Sequence, residues 1–599
     1  MDNTYINPRF LQFLLLEVLN GPELRRHSLF SDFDAEAFLM TLDAAKQLSD
    51  NYLYPIFREM DKDKAYYKDG VVEVHPGLKQ AIMALAEGGW ISAIDAPHNN
   101  GRLMPQTLLS ACQLVFYAAN ANAVSYAFLT QGAARLIRNF GAEELAQTYI
   151  PSMFAGHWQG TMALTEPQAG SSLSDITSSA TPTSDGHFLI KGQKIYISGG
   201  DHTAVDNVVH LLLARIKGAP AGTKGISLFV VPKYRPENGE LVFNDVTTAG
   251  IFGKMGQKGY VAAHLMMGEH DDCRGYLVGE PHKGLSYMFQ LMNEARIGTG
   301  LMATGVASGA YQTALKYANE RPQGRHPSNK DINQPQVLII EHADVKRMLL
   351  FQKAVIEGSM ALLLQCSFYG DLHRVGEGEE KENAHLLLEL LTPIAKSYPS
   401  EMGTLAVSAG MQCMGGAGYC DDFPLEQYYR DIRVNAIYEG TTAIHGMDLL
   451  GRKIFMANGK TAQLYAAELA KTIEEAQQRP GLKARAGQLA QAVGALQQIT
   501  QHLGKLAGTH PPEVFLADAT LYLEYFSIVT IAWQWLKLAV SADRALDGAL
   551  HAEDLHFYES QLHTCTYYYE YELPKTTALH QRLSSDNHLT LDIKPAHLQ

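Results

Sequence analysis

HFLIKGQKIYISGG (residues 187–200), NVVHLLLARI (207–216) and GISLFVVPKY (225–234) are the stretches that decide the fold class. They are short, rich in β-branched, leucine and aromatic residues, and separated by turn-forming residues, which is the texture of strands. TMALTEP (161–167) precedes them in the same style, and Asp185-Gly186 between extended runs is a hairpin signal. Outward from this block the text changes. AEAFLMTLDAAKQLSDNYLYPIFREM (35–60) and QTLLSACQLVFYAANANAVSYAFL (106–129) upstream, and GLSYMFQLMNEARIGTGLMATGVASGAYQTALKYANER (284–321) downstream, repeat apolar residues at helical spacing.

The expected class is therefore α+β, with the β text confined to the middle. An arm at 1–35 carries Phe10, Phe13, Leu14 and Val18 near helical spacing until Gly21-Pro22 stops it. A helical domain follows at 36–157, a β domain at 158–282, a helical bundle at 283–455, and an appended helical domain at 456–599, where Leu489, Val493, Leu496 and Leu503 share a face. This order excludes the doubly wound nucleotide-binding folds, which alternate strand and helix. GGAGYC (415–420) lies between helices, so it is not a dinucleotide fingerprint.

Composition narrows the function. A net charge of −14 argues against a nucleic-acid or anionic-membrane surface. Six cysteines without a CxxC pair fit free thiols in a reducing compartment rather than disulfides or zinc. No metal site is expected, since Glu269, His270, Asp271 and Asp272 are consecutive and point to alternating sides. MDNTYINPRF is not a cationic signal region, and the apolar run 525–540 is broken by Gln534 and Lys537. The expectation is a soluble, cytoplasmic protein without a transmembrane segment, its Tyr567, Tyr568, Tyr569 and Tyr571 cluster serving packing.

One stretch holds a chemically useful acid. RDIRVNAIYEGTT (430–442) places Glu439 between Tyr438 and Gly440. Alone, Tyr-Glu-Gly reads as a helix end with a solvated acid. A buried carboxylate there gains a raised pKa and becomes a base near neutrality, and the glycine lets backbone approach a ligand.

The motifs then meet in order: LTEPQAGSS (164–172), KIYISGG (194–200), KMGQKG (254–259), ERPQGR (320–325), QCMGGAGY (412–419) and the Glu439 stretch. Together they resemble the acyl-CoA dehydrogenase family, over about residues 36–455. The arm, the appendix and the length of 599 residues resemble the long branch of that family, which includes long-chain acyl-CoA and 3-methylmercaptopropionyl-CoA dehydrogenases.

The resemblance implies an FAD enzyme with Glu439 as catalytic base. Met162, Leu164, Thr165, Gly170 and Ser171 match the β-domain segment that hydrogen-bonds FAD, and Tyr196, Ile197 and Ser198 the strand beside the flavin ring. Arg321 matches an arginine that meets the FAD pyrophosphate across a subunit boundary, and Gln412, Gly415 and Gly416 the segment near the adenine half. Gly440 and Thr441 match further FAD contacts, while Ser171, Asn293, Arg296 and Tyr438 fall on the substrate side.

There are departures. Tyr196 stands where the family often has Trp, Ser198 where it has Thr, and Ala443 where a glutamine often contacts FAD. The loop after Arg321 is longer than usual, which leaves His342 as one option for the next FAD contact. Some relatives carry the base at the position of Ala295; with Glu439 present, the adjacent Glu294 reads as structural, and His445 reads as an ordinary polar helix residue.

The implied reaction is α,β-dehydrogenation of a fatty acyl-CoA to the trans-2-enoyl-CoA, with electron-transfer flavoprotein as acceptor and a homodimer as the assembly. The alternatives are a 3-methylmercaptopropionyl-CoA dehydrogenase, an acyl-CoA oxidase using oxygen, and a flavin-bearing DNA-binding relative. Net charge and the retained Glu439 weigh against the last.

Overall fold

The computed structural model describes residues 4–99 and 103–599, with backbone alone at 290–292. The chain divides into two units, one formed by residues 4–42, 105–114 and 296–599, the other by 43–104 and 115–295.

The second unit holds the β domain. Its strand Asn207–Ile216 is buried along nearly its whole length. That explains the unbroken apolar run: both faces are covered, so no polar alternation is needed. It pairs in parallel with Trp158–Ala163 and antiparallel with Ile226–Pro232. Arg274–Val278 pairs with Ile226–Pro232 and with the start of Phe188–Ser198. The other end of Phe188–Ser198 pairs with Ala262–Met267, and Val246–Ile251 closes the order. One strand thus serves two sets of partners, and the change falls at Gly192. Its φ is +152°, and a Cβ there would lie 2.8 Å from the Ser178 Cα, so only glycine fits.

Two features of the helical text before this sheet differ from expectation. Tyr66–Lys68 and Val71–Glu73 form a hairpin inside the section read as helical, turning at Asp69 and Gly70, both with positive φ. Asp-Gly is the signal for that turn, but the flanking strands are only three residues each and too short to show a period. The run 106–129 is also not one helix. Asn120 has φ −164° and ψ 89°; its Oδ1 accepts from the Ala123 N–H at 3.1 Å and caps the second segment, while its Nδ2 donates to the Leu53 carbonyl at 3.0 Å.

The first unit is helical. Ala343–Val375 packs along Gly378–Met414, and Gly300 lets its own helix close on the second of these, since a Cβ would fall 2.1 Å from the Ala395 carbonyl oxygen. The appended section docks through Ala519–Ala545. Trp535 Nε1 donates to the Ala354 carbonyl at 2.9 Å, Trp533 Nε1 to Thr472 Oγ1 at 2.9 Å, and Tyr569 OH to the Ala532 carbonyl at 3.0 Å. Of the four tyrosines expected to pack, Tyr567, Tyr568 and Tyr569 are buried, while Tyr571 is exposed and stacks on Tyr567. The arm is part of this unit: Tyr5, Phe10, Phe13 and Leu14 are buried, and Arg9 bridges to Tyr558 and Asp554.

Among the described residues one helix, Ala343–Val375, is long and apolar enough to cross a membrane, and 83% of its most apolar window is buried inside the protein. The run 525–540 lies in the buried helix Ala519–Ala545.

Candidate active site

The acid-bearing stretch begins as the helix Leu425–Ile432 and tightens into a 3-10 turn over Arg433–Ala436. It then reverses at Glu439 and Gly440, with φ of +55° and +88°, before the helix Thr442–Gly451 starts. A left-handed glutamate costs about 1–2 kcal/mol, so neighbours must hold it. Two do. His445 Nε2 donates to the Glu439 carbonyl at 3.1 Å, and Lys396 Nζ donates to the Gly440 carbonyl at 2.7 Å. His445, read from sequence as an ordinary polar helix residue, is instead fully buried, and burial first, then Arg296 and Lys396, push it down to about 3. It is neutral at physiological pH, which fits a single N–H donor.

Glu439 is half-exposed as a whole residue, but its carboxyl lies deep enough for desolvation to govern its titration. Burial raises its pKa, against the pull of Arg296 and then Lys396. That environment makes a carboxylate a stronger base. Arg296 is buried; Nη1 lies 3.4 Å from Asp448 Oδ2, and Nε has no hydrogen-bond partner among the described residues. Tyr438 OH donates to Asn435 Oδ1 at 2.8 Å. The structure thus brings together Glu439, Gly440, Thr441, Tyr438 and Arg296 from the predicted set. Asn293 precedes Arg296 by one helical turn on Gly284–Glu320.

Two other predicted groups lie elsewhere in the same unit. Arg321 is exposed at the end of the Gly284–Glu320 helix, and its guanidinium makes no ion pair among the described residues. Gln412, Gly415 and Gly416 are exposed where Gly378–Met414 ends. Around both glycines a Cβ would meet nothing within 4 Å, and Gly415 has φ +58°. Open backbone and an uncommitted arginine suit the adenosine and pyrophosphate of FAD. His342 Nε2 meets the Gln323 carbonyl at 2.7 Å.

The β unit joins the two motifs read as the flavin segment. Lys194 Nζ donates to the Leu164 carbonyl at 3.0 Å, and the Ile195 N–H to the Thr165 carbonyl at 3.0 Å. Glu166 and Lys194 form a fully buried pair at 2.8 Å. Burial pushes Glu166 up, but Lys194 and hydrogen bonds from Thr177 and Ser178 outweigh it and hold the carboxyl down at about 2. This pair moulds the loop bearing Leu164, Thr165, Gly170 and Ser171, of which the last two are exposed, while Met162 lies in the strand Trp158–Ala163 that leads into it. Tyr196, 58% exposed with φ +57°, packs on Phe252 at 4.3 Å and offers a free aromatic face suited to a flavin ring. Ile197, named with it, turns its side chain into the core, leaving only backbone for a ligand.

Glu269, His270, Asp271 and Asp272 are engaged separately, by Thr247, Asp245, Lys191 and the pair Arg235 and Arg274. Glu294 pairs with Arg135.

Known structures share this architecture. The Caenorhabditis elegans ACDH-11 structure, in complex with C11-CoA, matches with a TM-score of 0.74 at 19% identity, over 99% of this chain and 96% of that one. A Bacillus anthracis acyl-CoA dehydrogenase complexed with FAD matches with a TM-score of 0.72 at 20% identity, over 95% and 90%. The fold is thus that of the acyl-CoA dehydrogenase class, in which β text lies between helical text along the chain, here with an extra helical domain. Family models match in sequence: acyl-CoA dehydrogenase, middle domain, over 161–269; acyl-CoA dehydrogenase, C-terminal domain, over 282–454; and acetyl-CoA dehydrogenase C-terminal like, over 465–594. A 3-methylmercaptopropionyl-CoA dehydrogenase of Ruegeria pomeroyi is 33% identical over 97% of this chain and 98% of its own length. A broad-specificity linear acyl-CoA dehydrogenase, FadE5, of Mycobacterium tuberculosis is 31% identical over 96% and 97%. The chain belongs to the acyl-CoA dehydrogenase family, whose members are FAD-dependent oxidoreductases.

Sequence reasoning missed Lys396 and the Glu166–Lys194 pair. The signal for Lys396 was available: a lone lysine inside LLTPIAKSYPS (390–400), an otherwise uncharged run. Such a lysine is either exposed on a polar face or buried for a purpose.

Proposed function

We propose that this enzyme dehydrogenates linear acyl-CoA thioesters to trans-2-enoyl-CoA products, as in fatty acid β-oxidation, with Glu439 as the base. The observation that carries this reading is the Glu439 carboxyl on a left-handed turn, desolvated yet faced by Arg296 and Lys396. Desolvation strengthens the base; the two cations keep it ionised often enough to act. Glu439 takes the Cα proton as a hydride leaves Cβ and the C=C bond forms. When bound, FAD supplies the hydride acceptor. The Glu439 N–H makes no hydrogen bond among the described residues, which suits it to donate to the thioester oxygen as negative charge develops there. Arg321, Gln412, Gly415, Gly416, Gly440 and Thr441, with the segments 162–171 and 196–198, are the proposed FAD residues, and Ser171, Asn293, Arg296 and Tyr438 the substrate side.

A second reading rests on the Ruegeria relative. 3-Methylmercaptopropionyl-CoA is an unbranched acyl thioester with one methylene replaced by sulfur, so a narrow linear cavity admits both. Electron-transfer flavoprotein is the proposed acceptor, a homodimer the proposed assembly and the cytoplasm the proposed location, all by family likeness.

The test is anaerobic titration with saturated acyl-CoA thioesters of rising length, alongside 3-methylmercaptopropionyl-CoA, following flavin absorption. Bleaching by linear thioesters is expected, and Glu439→Gln should bind them without bleaching. Full bleaching by Glu439→Gln would refute the assignment of the base.

A further inference from the structure

Lys396 is completely buried in the helix Gly378–Met414, midway between Pro393 and Pro399, each of which removes one helical N–H donor. A buried ammonium is among the least favourable groups a core can hold, and an apolar side chain of similar volume would be no worse for stability and often better. Packing therefore does not explain it. Its ammonium donates to the Gly440 carbonyl at 2.7 Å, one residue past the proposed base. The His445 hold on the Glu439 carbonyl is the second clamp, so the two carbonyls on either side of the Glu439–Gly440 reversal are each pinned by a buried side chain. The charged groups facing Lys396 are Glu439, Glu401 on its own helix, and Arg296; beyond them on the Thr442–Gly451 helix stand neutral His445 and Asp448, the latter paired with Arg296 and Arg452.

We propose that Lys396 is a positioning residue for the reaction, its ammonium fixing the left-handed Glu439–Gly440 turn through the Gly440 carbonyl and facing the Glu439 carboxylate with positive charge. The inference rests on Glu439 being the base. Two consequences follow. The hydrogen bond holds the carboxylate within contact distance of the substrate Cα, where a misplacement of about 1 Å costs up to about a hundredfold in rate. The charge opposes the desolvation of Glu439, so removing it raises the acidity midpoint of the base by about one unit. Burial lowers Lys396 itself to about 8, against the pull of Glu439 and Glu401, which leaves it a cation at neutral pH.

The experiment compares Lys396→Met, Lys396→Gln and Glu439→Gln as FAD-loaded enzymes. Three quantities are read: the rate of flavin reduction by a saturating linear acyl-CoA across pH, the titration midpoint of Glu439 as the carboxyl infrared band absent from Glu439→Gln, and the thermal midpoint with FAD content. Lys396→Met should keep FAD and a thermal midpoint equal to or above the parent. It should reduce flavin at least about tenfold more slowly at neutral pH, and its Glu439 midpoint should move up by about one unit. Lys396→Gln, which keeps a donor to Gly440 but no charge, should show the same midpoint change with a smaller rate loss. If Lys396→Met does not fold, the midpoint in Lys396→Gln decides alone. An unchanged midpoint and rate overturns the inference, as does a rate loss that merely follows lost FAD. The two readings fail separately: flavin reduction by Glu439→Gln sinks the base, whereas a parent-like Lys396→Met beside an inactive Glu439→Gln sinks only the role of Lys396.

Discussion

Breaking the Glu166–Lys194 pair should destabilise the flavin loop far more than removing it whole. Both side chains have no exposure, at 2.8 Å. Glu166 accepts from the Thr177 N–H at 2.6 Å, from Thr177 Oγ1 at 2.9 Å and from the Ser178 N–H at 3.1 Å. Lys194 also holds the Leu164 carbonyl. A carboxyl moved from 4.5 to about 2 contributes about 3 kcal/mol at neutral pH. Burial moves Lys194 from 10.5 to about 8, and this takes back about 3 kcal/mol. Both figures include the same mutual attraction, so counted once the pair is no better than neutral for stability. Its effect is to shape the loop. Glu166→Gln strands the ammonium and should cost about 3–5 kcal/mol of local stability, as should Lys194→Met, while the double variant should cost well under the sum. The sign with pH follows from the depressed carboxyl. Its contribution is complete above about pH 4.5 and is lost as pH falls toward 2, so the Glu166→Gln deficit should shrink over that window. Hydrogen exchange across residues 164–178 in the four proteins of the cycle measures local opening directly. Additive single effects, or a deficit that grows as pH falls, would refute the reasoning.

Arg321→Ala should weaken FAD retention because it removes a charge-assisted contact to pyrophosphate; unchanged FAD content after dialysis would contradict this. Gly446→Ala tests whether the base loop leans on the appended domain. A Cβ at Gly446 would lie 2.6 Å from the Ala519 carbonyl oxygen and 2.9 Å from the Thr520 N, all backbone that cannot rotate away. The overpacking should cost about 1–3 kcal/mol and lower kcat with FAD content kept, whereas Gly494→Ala, with open space around its Cβ, should be neutral or stabilising. An unchanged thermal midpoint in Gly446→Ala would show that the helix Thr442–Gly451 is not seated on Ala519–Ala545 as described.

Much of this architecture is legible in the sequence. The strand texture between helical sections set the order of the chain, and 207–216 read correctly because a strand buried on both faces needs no alternation. The hairpin at Asp69-Gly70 escaped because two three-residue strands carry too few positions for a period to emerge. The break at Asn120 escaped because one helical pattern continues through it; only the side-chain bonds to Leu53 and Ala123 reveal a cap.

By itself, the sequence determined the helical–β–helical order and marked Glu439 as the acid worth watching. Periodicity and turn chemistry are local properties, so neighbouring letters carry them. Only the tertiary structure decided what surrounds that acid. Lys396 and His445 meet the turn from separate helices, and Arg296 faces it from a third. The pKa of Glu439 depends on burial and on charges brought near by packing, and linear order does not state those distances. The same holds for Glu166 and Lys194, 28 residues apart in the chain yet 2.8 Å apart in the core.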